Sequence, residues 1–146
     1  MQGITAPADV EIKQAVDRWA QYTPPGTLQQ FDGDALPHTG FAPDNVLIAG
    51  GRARLIDWAW PTRGAAWIDP GALALRLMEA GHPVGAAIEF ADRFPSWCDA
   101  APEALAAFGT ATASLWREIA EQDEALWKRA LAKQATALAR ALDTSP

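Results

Sequence analysis

The run Val46-Leu47-Ile48-Ala49-Gly50-Gly51-Arg52-Ala53-Arg54-Leu55-Ile56 constrains the fold most. Two short β-type segments meet at a turn of Ala49-Gly50-Gly51, a combination that reads as a tight hairpin and excludes an all-helical bundle. The expected strands are about 46–48 and 52–56. Pairing 46–48 against 54–56 makes Asn45 and Asp57 cross-strand neighbours at the open end, since residues equidistant from a turn face each other.

The remaining pattern is helical. Ile12, Ala15, Val16 and Trp19 recur at helical spacing behind Asp9, which predicts a first helix from Asp9 to Tyr22, stopped by Thr23-Pro24-Pro25-Gly26. Asp69 as N-cap, Pro70 at the first helical position and Gly81 past the end delimit a second. Further helices are expected at about 83–93, closed by Pro95, from Pro102 to about Glu121, and around Leu126 to Leu138. With no internal repeat and no linker, residues 1–146 read as a single α+β domain, mostly helical, around one small hairpin.

Composition narrows the function classes. Twelve basic against eighteen acidic residues give a net charge of −6, which offers nothing to a phosphate polymer or an anionic membrane. Neither nucleic acid nor membrane is expected as a partner. No apolar run reaches the roughly 18 residues of a membrane span, and the start lacks the basic and apolar regions of a signal peptide. Cys98 is the single cysteine, so no internal disulfide forms, and a cytoplasmic location is expected. Cys98 has no neighbouring base in sequence and is expected to be inert.

Polar and aromatic residues cluster around the hairpin mouth. His38-Thr39-Gly40-Phe41-Ala42-Pro43-Asp44-Asn45 precedes it, and Asp57-Trp58-Ala59-Trp60-Pro61-Thr62-Arg63 follows. His38, Asp44 and Asp57 are candidate acid–base groups. Gly40, Asn45, Trp58, Trp60 and Arg63 are candidate ligand contacts, with Trp58 and Trp60 able to sandwich a planar or cationic group. Trp19 and Trp116 lie on apolar helix faces and are expected in the core. Lys128, Arg129, Lys133 and Arg140 read as an exposed basic helical face.

His38-Thr39-Gly40 with Asn45 five residues on, then Leu55-Ile56-Asp57-Trp58, then Trp67-Ile68-Asp69-Pro70, resembles the C-terminal lobe of the aminoglycoside phosphotransferase family, which has a protein-kinase-like fold. The resemblance implies that His38 braces a catalytic loop and that Asn45 and Asp57 form a weak, vestigial Mg²⁺ site needing substrate phosphates to complete it. Where the family carries the Asp that accepts the substrate's hydroxyl proton, this chain has Gly40. The 37 residues before His38 also hold one predicted helix and no strand-rich lobe to clamp phosphates. Loss of a general base alone costs roughly 10²–10⁴-fold in rate.

The expected function is therefore a truncated, phosphotransfer-incompetent protein that binds a small molecule in the former acceptor cleft, in secondary metabolism, with no cofactor and no ATP. A second reading is a repurposed enzyme that cyclises, isomerises or hydrolyses an apolar or aromatic metabolite through Asp57, Asp44 or His38. A third is one subunit of a split phosphotransferase, or a homodimer, with a second chain covering the surface that the other lobe would cover.

Overall fold

The computed structural model describes residues 4–123 and 125–143, and their architecture is α+β and mostly helical. In chain order the elements are β1 (Lys13–Gln14), α1 (Ala15–Trp19), β2 (Val46–Ala49), β3 (Arg52–Leu55), β4 (Thr62–Arg63), α2 (Ile68–Glu79), α3 (Val84–Ala91), α4 (Pro95–Cys98), α5 (Pro102–Gln122) and α6 (Leu126–Asp143). Short 3₁₀ turns occupy Leu28–Phe31 and Pro43–Asn45.

The hairpin forms where the sequence places it, with a different register. Ala49 pairs with Arg52 and Val46 with Leu55, so the turn is the two residues Gly50 and Gly51. Both have positive φ, 59° and 71°, as a type I′ turn requires and as glycine adopts without steric cost. A two-residue turn shifts the alignment by one position from the expected one. Asn45 therefore faces Ile56, whose amide donates to the Asn45 carbonyl at 3.0 Å, rather than Asp57.

The first helix is also shorter than its periodicity suggests. Lys13–Gln14 pairs in parallel with Thr62–Arg63, so the backbone that would have continued the helix toward Asp9 bonds to a distant segment instead. Gln14, not Asp9, occupies the N-cap position. Ala15 and Trp19, four apart, supply the buried face. The Trp19 carbonyl accepts from the Tyr22 and Thr23 amides and from the Thr23 hydroxyl, closing the helix where the Pro-Pro-Gly signal follows.

The core is built from α2, α5 and α6 with α1 and the Leu28–Phe31 turn packed on one end. Trp19, Phe31, Trp67 and Phe108 form a continuous aromatic chain with centroid separations of 5.7, 5.2 and 5.7 Å, in the tilted and edge-on arrangements that aromatic pairs favour. Helix α6 contributes Leu131, Ala135, Leu138 and Leu142, a spacing of three and four that lays one stripe on the core. Helix α3 ends at Ala91, ahead of Pro95 as expected, and Pro95 then starts the single turn α4, where proline is tolerated in a first helical turn. Among the described residues no helix is long and apolar enough to cross a membrane.

Helices α5 and α6 approach closely at Gly109, where a Cβ would lie 2.8 Å from the Ala139 Cα. Backbone cannot step aside as a flexible side chain can, so Gly109→Ala should destabilise by about 1–3 kcal/mol, lowering the melting temperature by about 3–10 °C. Gly85, in α3, has nothing within 4 Å of its would-be Cβ. Gly85→Ala should raise stability by about 0.5–1 kcal/mol through helix propensity and a more restricted unfolded chain. Thermal denaturation of the two variants checks the opposite signs.

Candidate functional site

The loop from Pro37 to Asn45 is fixed by a carboxylate from another part of the chain. Asp69, in the first turn of α2, accepts from the His38 amide at 3.1 Å and from the Thr39 amide at 3.0 Å, one through each oxygen. The sequence suggested Asp69 as the cap of its own helix; instead Trp67 holds the cap position without a side-chain bond. The chemistry is the expected one, a carboxylate satisfying backbone N–H groups, but the amides it satisfies lie about thirty residues earlier in sequence. Asp69 is buried, and burial raises its pKa above the ordinary aspartate value, while the Thr39 and His38 amides pull it down.

This anchoring holds Thr39 at φ 60°, a left-handed conformation that a β-branched residue rarely adopts and that costs of order 1–3 kcal/mol. The His38 ring lies beneath the loop. Its Nδ1 accepts from the Gly40 amide at 3.2 Å and its Nε2 donates to the Ile56 carbonyl at 3.0 Å, a pattern that selects the Nε2–H tautomer. Phe41 and Trp58 pack against the ring at centroid separations of 5.7 and 4.5 Å. With both nitrogens engaged and 1% of its surface exposed, His38 braces the loop against β3 and offers no free nitrogen to a substrate.

The other predicted residues divide between the site and its surroundings. The Asn45 side-chain nitrogen donates to the Gly40 carbonyl at 2.9 Å, which leaves its amide oxygen as the available metal donor. Asp57 is exposed and lies at φ 58°. The register that sets Asn45 opposite Ile56 leaves unformed the cross-strand Asn45–Asp57 pairing on which a two-ligand Mg²⁺ site would rest. Among the described residues no group of three or more His, Cys, Asp or Glu is placed to hold a metal. Asp44 is exposed on the 3₁₀ turn. Arg63 lies away from the mouth, because its guanidinium donates to the Pro7 carbonyl at 2.7 Å and more weakly to Ala6.

A cleft of about 480 Å³ opens beside this loop, within the usual range for small-molecule sites. Thr39, Gly40 and Trp60 line it from the loop side, Arg18 and Trp19 from α1, Ala72, Leu75 and Arg76 from α2, and Phe108, Thr112, Leu115, Trp116 and Ile119 from α5. Trp58 and Trp60 do not sandwich a ligand between them: Trp58 packs edge-on to His38 and Trp60 alone joins the cleft. Trp116, expected in the core, is half-buried and forms a wall of the cleft. Arg18, Arg76 and Trp116 escaped the sequence reading because each looks ordinary on its own helix. A polar Thr112 on the buried stripe of α5 is the one local mark of a cavity.

Asp69→Asn replaces one of two acceptors with an N–H₂ group facing a backbone donor, and should destabilise by about 1–3 kcal/mol. A raised folded-state pKa gives a contribution to stability that is full below the unfolded value and declines as pH rises through the folded one. The advantage of the parent over Asp69→Asn should therefore be greatest in acid and shrink toward neutral pH, as denaturant melts across that range will show.

Comparison with known proteins finds no matching family model, no matching curated protein and no matching solved structure.

Proposed function

We propose that this chain is a small-molecule-binding protein with the organisation of a phosphotransferase C-terminal lobe, in which phosphoryl transfer no longer takes place. Gly40 carries the reading. A Cβ there would meet the His38 ring at 3.4 Å and the Asn45 side-chain nitrogen at 3.5 Å, ordinary van der Waals distances, and the residue is not among those with positive φ. Neither space nor backbone conformation demands glycine. The position is one where a Cβ would fit and none is present, and it borders the cleft. A loop braced by His38 and Asp69, with no proton acceptor at its centre and a cavity at its side, suits holding a ligand better than activating a hydroxyl.

The repurposed-enzyme reading draws less support, since His38 has both ring nitrogens engaged. A second chain over the hairpin has an observation of its own. Leu47 and Ile48, successive residues pointing to opposite faces of β2, are 51% and 71% exposed. A two-stranded hairpin solvated on both faces is marginal in isolation, which favours a covering partner or a second copy.

Gly40→Ala should melt within about 3 °C of the parent, since its Cβ meets only van der Waals contacts. Incubating the parent with γ-³²P-labelled ATP, Mg²⁺ and hydroxylated acceptors should yield no labelled acceptor; transfer by the purified chain would overturn the reading. Sedimentation at increasing concentration should show self-association that Ile48→Lys weakens, and a monomer throughout would remove the second-copy form of the covering-chain reading.

A further inference from the structure

Resting on the small-molecule reading of the cleft, we propose that its ligand is a planar aromatic molecule carrying an oxyanion, with the ring system held among Trp60, Trp116 and Phe108 and the anionic group on Arg18. The charge balance of the cleft is the first ground. In a chain of net charge −6, the residues that line this cavity include two arginines and, among the described residues, no carboxylate. A polycationic acceptor such as an amino sugar would find no counter-charge here.

The two arginines are in different states. Arg76 is already neutralised by Glu79 at 2.7 Å and lies over Trp116 at 5.4 Å. Arg18 has no such carboxylate: its Nε is buried without a hydrogen-bond partner among the described residues. Its guanidinium sits 5.4 Å from the Trp60 ring centroid. Burial lowers its pKa, with no nearby acid to offset the desolvation. A buried guanidinium donor without an acceptor is costly to leave so, and the planar donor fork matches a carboxylate, sulfonate or phosphate oxygen pair. The Nε itself has no exposed surface, so an incoming oxyanion would bond the terminal NH₂ groups of this cleft-lining guanidinium.

The apolar surface selects the rest of the ligand. Trp19, Trp60, Phe108 and Trp116 provide indole and phenyl surface, Leu75, Leu115 and Ile119 fill between them, and Thr39 and Thr112 supply hydroxyls. Aromatic walls with one charged group and a few polar ones describe a site for a flat, largely apolar anion.

Calorimetric titration with three isosteric probes, 2-naphthoate, 2-naphthamide and 2-naphthylmethylammonium, tests the assignment. The unaltered protein should bind naphthoate about tenfold or more tighter than naphthamide, as a charge-assisted bond implies, and the ammonium probe most weakly. Arg18→Met should bring naphthoate down to the naphthamide level and leave naphthamide unchanged. If that variant does not fold, the rank order on the unaltered protein decides. Naphthamide or the ammonium probe binding as tightly as naphthoate would overturn the anion assignment while leaving a small-molecule cleft in place. No binding of any probe at millimolar concentration would overturn both.

Discussion

One buried carboxylate organises the functional half of this molecule. Asp69 stands in the first turn of α2, where the helix favours negative charge, and takes the backbone amides of His38 and Thr39. Those two bonds join the hairpin-side loop to the helical core. They offset the left-handed backbone of Thr39 and set the loop so that the Gly40 amide meets the His38 ring. His38 then reaches the Ile56 carbonyl, at the far end of β3, through its other nitrogen. Helix, loop and hairpin are thus coupled through one acid and one imidazole, and the cleft edge formed by Thr39 and Gly40 follows from that coupling.

What the sequence disclosed and what it withheld divide along a physical line. Features decided by neighbours in the chain were legible: the presence of a hairpin with Gly50 and Gly51 in its turn, a helix end ahead of Thr23-Pro24-Pro25-Gly26, and the end of α2, where Gly81 adopts φ 96° and the His82 amide returns to the Leu77 carbonyl. Features decided by distant partners were not. The parallel pairing of Lys13–Gln14 with Thr62–Arg63 shortens α1 against its own periodicity. The one-residue register difference moves Asp57 from beside Asn45 because the turn could have held two residues or three. Asp69 was recognised as a capping carboxylate, but which amides it caps is a tertiary fact.

The cleft illustrates the same division. Gly40 and Trp60 were marked by their place near the hairpin mouth, whereas Arg18, Arg76 and Trp116 come from three helices and converge only in the fold. Trp58 and Trp60, two apart in an irregular segment, looked equivalent in sequence and part company in space, one against His38 and the other at the cleft beneath Arg18. An acidic chain that places Arg18 without a carboxylate partner at one apolar hollow has separated the electrostatics of that hollow from those of its surface.

Amide hydrogen exchange on the parent and on Asp69→Asn tests the organising role of the carboxylate most directly. In the parent the His38 and Thr39 amides should exchange as slowly as those in the middle of α5. In the variant they should exchange much faster, together with Gly40, while α5 and α6 keep their protection. Unchanged protection at His38 and Thr39 in the variant, or fast exchange there in the parent, would contradict the claim that Asp69 holds the loop.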